Sequence, residues 1–502
     1  MSVCSFTVYD IFKRNSKLYR DKIAIVSDDQ QMTFGELFNQ INRVAGGLIA
    51  KGIRHGDRIA VLSKNCSELF TLMGAIAGVG AIMVPINFRL VASEIKQILT
   101  NTEPVMLFFN QEFEQTISEL SSECLSIKNL VALHQPVRKF PSFDLLLRHE
   151  SGKAVPLSGS EPFMIIHTAA VQGKPHGAVL THHNFTICNT QAACIMGLTS
   201  HDTYLNILPL FHVAGLAIAL SVMHAGGKNV MISKFDSKTA VKIIDQEKVT
   251  VIGSFPPILA QLLDEQSIGE GSLSSLKHVV GLESSDTIKR FENTVQGQFW
   301  LAYGQSETMG LICMCPNQEK PGSDGKPGPL VDIMIADEFD QEVSSGGSGE
   351  ILIRGPLVFQ EYWKEKELTK STLRGGWHHT GDLGRIDDEG HLWFMGRKAE
   401  KELIKSGGEN VYPVEVEKTI LQHPAVKEVA VIGVADSEFG EAIKAICVLK
   451  PNHSLTENEL IDFVGKRIAR FKKPKYVLFI NSLAKTKEGS IDREQVKAKY
   501  ST

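Results

Sequence analysis

Residues 72–86 read LMGAIAGVGAIMVPI, without one charged side chain. A helix that is apolar on every face has no side to turn to water, so other elements must enclose it. The run is too short for the ~20 apolar residues that span a bilayer, it is broken by Gly74, Gly78 and Gly80, and it runs into Pro85. It reads as a buried helix passing into a strand.

Helix and strand signals alternate around that unit. Thr33-Phe34-Gly35-Glu36 is a capping-box pattern. Leu37, Ile41, Val44, Ala45 and Leu48 follow at helical spacing, with Gly52 as the stop. Residues 58–62 read as a buried strand, 229–233 as a strand, 238–248 as a helix and 250–253 as a strand. Repeated βα units predict parallel sheets with helices on both faces. From about Gly325 short β runs with glycine turns take over, at 349–355 and 390–396, and predict a small antiparallel barrel or sheet. A charged stretch, residues 397–402, precedes a separate unit. That unit reads as a helix over 414–422 with Pro413 at its start, strands over 426–434 and 442–449, a helix over 457–471 capped by Thr456 and Glu459, and a strand over 476–480. A chain of 502 residues is too long for one core. The expectation is an α/β protein. Residues 1–400 form a large N-terminal domain of doubly wound sheets plus a small β-barrel, and residues 401–502 form a small, mobile α+β lid.

Composition narrows the function classes. The net charge is −4 and the basic clusters are small, such as Phe471-Lys472-Lys473-Pro474-Lys475, so there is no electrostatic case for nucleic acid. The eight cysteines are scattered singly except for Cys313-Met314-Cys315. One such pair without a second predicts free thiols on a half-buried strand in a reducing compartment rather than zinc. MSVCSFTVYDIFKRN has no basic region followed by an apolar one, which predicts a cytoplasmic protein. No GxGxxG follows an early strand, which argues against a dinucleotide oxidoreductase.

Residues 165–184, IIHTAAVQGKPHGAVLTHHN, have the layout of a phosphate loop: an apolar strand, Gly173 and Gly177 with Lys174 between them, then a second apolar run. Glycines at a strand end free backbone N–H groups to converge on phosphate. GxxxxGK(S/T) is absent, so this is no Walker loop, and the stretch alone reads equally well as a plain glycine turn. Tyr303-Gly304-Gln305-Ser306-Glu307-Thr308 offers an aromatic face, hydroxyls and a carboxylate, suited to a nucleobase, a phosphate and Mg²⁺. Asp382, in Gly376-Trp377-His378-His379-Thr380-Gly381-Asp382, can chelate a ribose diol. Gly396-Arg397 and Ser406-Gly407-Gly408-Glu409-Asn410 follow. Any one of these is weak; their order is specific.

In that order the segments resemble the acyl-adenylate-forming, AMP-binding superfamily: acyl-CoA synthetases, luciferases and peptide-synthetase adenylation domains. The resemblance covers nearly the whole chain, from the helix at Thr33 through VPINFRL (84–90), LPLFHVAG (208–215), YGQSE and GWHHTGDLGRIDDEGHLWFMGR to GGENVYPVEVE (407–417). VPINFRL and GGENVYP are most like the acyl-CoA synthetase branch, in particular fatty-acyl and related acid:CoA ligases. The resemblance implies two steps. ATP and a carboxylic acid give acyl-AMP and pyrophosphate; the C-terminal domain then rotates, and the CoA thiolate attacks the mixed anhydride. It implies ATP, Mg²⁺ and coenzyme A as ligands, and neither a nucleic-acid partner nor a transmembrane segment. Asp382 and Arg397 are implied to hold the ribose, Tyr303-Gly304 to lie along the adenine, Ser306 to touch the α-phosphate and Glu307 to hold Mg²⁺. Thr168, Gly173, Lys174 and Gly177 belong to the phosphate loop. His212 is implied to line the acyl site and gate CoA. The hinge falls near Lys401 and Glu402, in a stretch about two residues longer than usual. Gly407 and Gly408 are implied to flank the pantetheine tunnel.

The chain departs from the pattern where the first half-reaction is run. The family's loop reads close to Y-T-S-G-T-T-G-x-P-K-G; here Thr168, Gly173 and Gly177 match, while the serine, first glycine and two threonines do not, and His176 stands at the lysine. The tail pattern P-x-T-x-x-G-K has Ser490 at its lysine. Gly281-Leu282-Glu283-Ser284 also replaces a glycine-rich turn. Losing one preorganised donor typically costs about 10²–10³ in rate. Three readings follow. One is a working synthetase with relocated cations, Lys174 in the loop and Lys487 or Lys485 in the tail. The second runs the thioester half alone, from acyl-AMP or in reverse from acyl-CoA and AMP. The third is a non-catalytic acyl-nucleotide or acyl-CoA binding protein.

Overall fold

The structure, a computed structural model, describes residues 6–27, 30–133, 137, 139–171, 174–269, 271–398, 403–486 and 491–501, with only the backbone of 169–171 and 174. The charge-free run forms helix Glu68–Val79, buried along its length from Leu69, and strand Ile82–Ile86, buried throughout. Gly80, at φ 71°, ends the helix in the left-handed conformation that glycine tolerates best.

Two sheets enclose that helix. The seven-stranded sheet runs in the order Glu361–Tyr362, Lys174–Thr181, Pro162–Val171, Ile82–Ile86, Arg58–Leu62, Met106–Asn110, Asn129–Leu133. The nine-stranded sheet has a parallel centre of Gln298–Tyr303, His278–Gly281, Val251–Ser254, Thr203–Asn206, Lys228–Met231 and Ile23–Ser27, with antiparallel strands added at both edges. One core cluster joins Ile25, Met231 and Val251 of the larger sheet to Val61, Met83 and Phe108 of the smaller. It includes Leu72 and Leu216 of helices Glu68–Val79 and Val213–His224, so these helices form the layer between the sheets. Helices Ala92–Thr102 and Glu114–Ser121 cover the outer face of the smaller sheet, and Ser237–Gln246, Ile258–Ile268 and Ser285–Val295 that of the larger.

The small antiparallel element is a four-stranded sheet of Asp332–Ala336, Gly349–Arg354, His378–Ile386 and Leu392–Arg397. The C-terminal unit packs helices Pro413–Ile420 and Glu457–Gly465 on a sheet that pairs Val426–Asp436 with Gly440–Leu449 and the latter with Tyr476–Phe479. The helix expected over 457–471 stops at Gly465, where glycine costs about 1 kcal/mol relative to alanine; a separate 3₁₀ turn, Arg470–Lys472, follows. The hairpin Ile404–Ser406/Glu409–Val411 and the helix Arg493–Tyr500 were not legible as elements. No helix among the described residues is long and apolar enough to cross a membrane.

Candidate active site

A cavity of about 730 Å³ lies where both large sheets, the four-stranded sheet and the C-terminal unit meet; Thr168, His212, Ser306, Glu307, Asp382 and Arg397 are among its walls. A second cavity of about 420 Å³, between the N-terminal body and the C-terminal unit, adjoins it at Thr168, His212, Ser306 and Asn410.

The Asp382 carboxylate, in the wall of the larger cavity, is held by three side-chain donors. It is 1% exposed. Its Oδ2 accepts from the Tyr303 hydroxyl at 2.8 Å and from Gln305 Nε2 at 2.7 Å, and its Oδ1 from Arg397 Nε at 2.6 Å. Asp382 and Arg397 face each other across paired strands, so sheet register sets their contact. Burial is the largest influence on the Arg397 pKa and lowers it, but the charge and hydrogen bond of Asp382 together with the Tyr412 and Tyr303 hydroxyls outweigh it and hold the guanidinium above its ordinary value. Burial and the Asp382 carboxylate push the Tyr303 hydroxyl well up, so it stays a donor. Tyr303 and Gly304, expected along an adenine, do line the cavity, and the tyrosine also anchors Asp382.

Glu307 is 8% exposed and accepts from the Tyr362 hydroxyl at 2.8 Å. One carboxylate completed by phosphate oxygens and water fits the ligand preference of Mg²⁺. His212 stands at the N-cap of Val213–His224, where its Nδ1 accepts the Ala214 N–H at 3.2 Å. That bond leaves the proton of a neutral ring on Nε2. Burial, with Lys405 and Arg89 nearby, pushes the pKa down to about 4, so the ring is neutral near pH 7.

The phosphate-loop segment is an antiparallel hairpin, Pro162–Val171 against Lys174–Thr181, with pairing out to Val171 and Lys174. Thr168 Oγ1 donates to the His176 carbonyl at 3.3 Å. His176, in the place of the expected lysine, is held by Glu365 with Nδ1 to Oε1 at 2.7 Å. Gly177 has a packing role: a Cβ there would lie 2.7 Å from Ile165 Cγ2. Gly173, Lys401, Glu402, Lys487 and Ser490 lie outside the described residues, as does the side chain of Lys174. Lys485, the other tail cation considered, pairs with Glu428 at 3.0 Å on the C-terminal unit's own sheet and is not in the cavity wall. Cys313 and Cys315 are buried free thiols.

Gly407 and Gly408 form the turn of the C-terminal hairpin at φ 56° and 82°. A Cβ on Gly408 would lie 3.1 Å from Phe255 of the N-terminal body, so the hairpin tip reaches the cavity wall. Gln305, Arg89, Asn87 and Lys405 were not foreseen. Gln305 shares Asp382 with Tyr303, although it stands inside the quoted YGQSE. Arg89 pairs with Glu409 and Asn87 Nδ2 donates to Glu409 at 3.2 Å, joining VPINFRL to GGENVYP. Lys405, two residues before Gly407, lines the cavity. Its signal in the sequence was a lysine next to the SGGEN turn.

The model of AMP-binding enzymes matches residues 12–363 and that of their C-terminal domain residues 415–490. Indoleacetate–CoA ligase of Aromatoleum aromaticum is 32% identical, over 96% of each chain. Mycobacterium tuberculosis fatty acyl CoA synthetase superposes with a TM-score of 0.74 at 28% identity, over 99% of this chain and 98% of that one. For o-succinylbenzoate CoA synthetase of Bacillus subtilis the score is 0.86 with a double mutant bound to the product analogue OSB-NCoA, at 26% identity over 98% and 99% of the two chains. It is 0.72 with that enzyme bound to the acyl-adenylate OSB-AMP, at 27% identity over 99% of both. The buried Asp382–Arg397 pair, the glycine turn at the cavity and this end-to-end similarity agree: the chain belongs to the AMP-binding enzymes, in the branch of ATP-dependent, AMP-forming acyl- and aryl-CoA ligases, which use ATP, Mg²⁺ and coenzyme A.

Proposed function

We propose that the chain activates a compact aryl or arylalkyl carboxylate as its acyl-AMP and transfers it to CoA. The observation that carries the acid class is the larger cavity: about 730 Å³ must hold the nucleoside as well as the acid, and its apolar walls include Leu208, Ile218, Phe255 and Val280. The indoleacetate–CoA ligase relative supports the same class. A fatty acid is the second reading, supported by the wording of VPINFRL and GGENVYP and by the similarity to a fatty acyl CoA synthetase.

In this reading Asp382 and Arg397 hold the ribose, Tyr303 and Gly304 flank the adenine, Ser306 meets the α-phosphate and Glu307 holds Mg²⁺, which supplies charge neutralisation at the phosphates. Thr168 and the backbone at the start of strand Lys174–Thr181 border the phosphates. Neutral His212 lines the passage shared by acid and CoA, and Gly407 and Gly408 flank the pantetheine arm. Lys405 supplies positive charge as AMP leaves. The domain division falls near residue 400, between an N-terminal body (1–400) and a lid (401–502). Buried free cysteines and dependence on ATP and CoA support a cytoplasmic location.

Acid-dependent ATP–pyrophosphate exchange tests the proposal, with indoleacetate, 2-succinylbenzoate, ferulate, octanoate and palmitate as the panel. Exchange with the aromatic acids supports it; exchange with palmitate alone moves the assignment to fatty acids. No exchange with any acid overturns it. Thioester formation from synthetic acyl-AMP and CoA would then support the half-reaction reading. Calorimetric binding of AMP or acyl-CoA without turnover would support a binding protein.

A further inference from the structure

Lys472 is 6% exposed, at the boundary between the N-terminal body and the C-terminal unit. A buried ammonium is costly unless it is paired. Its Nζ donates to Glu94 Oε1 at 2.5 Å and to Glu415 Oε1 at 2.7 Å. Glu94 is itself fixed in place: its Oε2 accepts the Val91 N–H at 2.9 Å, capping helix Ala92–Thr102. An acidic side chain in the first turn also suits the helix dipole.

The three residues belong to two different parts of the fold. Lys472 and Glu415 both belong to the C-terminal unit and keep their bond wherever it goes. Only Glu94 belongs to the N-terminal body, so the Glu94–Lys472 bond exists in this orientation and breaks in any other. In this orientation Gly408 faces Phe255 and Lys405 stands in the larger cavity. The whole-chain superposition points the same way. One and the same relative scores 0.86 with a CoA-product analogue bound and 0.72 with its acyl-adenylate.

We propose that Lys472 is a positioning residue for thioester formation: bonded to Glu94 across the domain boundary, it holds the C-terminal unit in the orientation that receives CoA. This rests on the reading of the chain as a two-step CoA ligase. Adenylation, run in another orientation, does not use the bond.

Three variants of the full chain test it. Glu94→Gln removes the charge, and glutamine still serves in a capping box. Lys472→Met removes the ammonium and keeps the stem, and Lys472→Arg restores a cation. Acid-dependent ATP–pyrophosphate exchange reads the first step, and single-turnover transfer from indoleacetyl-AMP to CoA reads the second. Transfer should fall about tenfold or more in Glu94→Gln and Lys472→Met, with exchange unchanged, and Lys472→Arg should recover most of it. Unchanged transfer in the first two variants, or exchange falling in step with transfer, overturns the proposal. Small-angle scattering of the unliganded chain gives a readout independent of substrate: Glu94→Gln should shift the profile away from the docked orientation, and identical profiles overturn the clasp. A wild-type chain inactive in both assays would instead overturn the functional reading, leaving scattering to judge the clasp.

Discussion

Tyr303 and Gln305 donate to one oxygen of Asp382, and Arg397 to the other. Replacing Asp382 by asparagine keeps the shape but leaves the Arg397 guanidinium, with its side chain 16% exposed, without its counter-charge. Breaking a buried pair on one side costs about 3–5 kcal/mol, part of which solvent in the open cavity will offset. Asp382→Asn should therefore weaken AMP binding by at least about tenfold, roughly 1.4 kcal/mol, with the melting temperature lowered as well. Isothermal calorimetry with AMP reads the first; equal affinity in the two proteins would show that Asp382 serves only the fold.

The 403–411 hairpin carries the glycine turn, and its geometry predicts a separable defect. Gly408 sits at φ 82°, where a Cβ is strained, and that Cβ would press on Phe255 at 3.1 Å. Gly408→Ala should slow acyl transfer to CoA while leaving ATP–pyrophosphate exchange intact, because the strain falls where the two domains touch. Loss of both steps together would refute that assignment. At the far end of the chain, Thr33 Oγ1 accepts from the Glu36 N–H at 3.2 Å and Glu36 accepts from the Thr33 N–H at 2.8 Å, starting helix Phe34–Ala50. Thr33→Ala should cost about 1 kcal/mol in urea unfolding, with kinetics unchanged. A denaturation midpoint equal to wild type would mean that the tertiary packing of the helix makes the cap redundant.

Four histidines spread through the N-terminal body, His167, His182, His212 and His224, are each pushed down to about 4, in every case mainly by burial. The unfolded chain takes up protons on these rings near pH 6.5 and the folded chain only near 4. Between those values the unfolded state binds more protons, so stability falls as the pH falls. Each ring should contribute on the order of 1–3 kcal/mol to that loss. The urea midpoint should drop between pH 7 and pH 5, and substituting His182, which is fully buried, by glutamine should flatten the dependence. A midpoint constant over that range would mean that the rings are protonated in the folded protein.

Much of the fold was legible locally. Both capping boxes, at Thr33 and Thr456, formed as read, and the charge-free run at 72–86 became an enclosed helix and strand. Caps, glycine stops and apolar periodicity act over a few residues, so the sequence by itself determined most of the elements, and the order of its motifs determined the family. Tertiary structure decided which distant groups meet. Glu365 engages His176 from 189 positions away, Glu409 meets Arg89 from 320, and Lys472 meets Glu94 from 378. No local period encodes such pairs, because each depends on how the sheets pack and how the C-terminal unit docks. The same is true of Gly177, whose sequence neighbours say phosphate loop and whose packed neighbour, Ile165, says that no side chain fits.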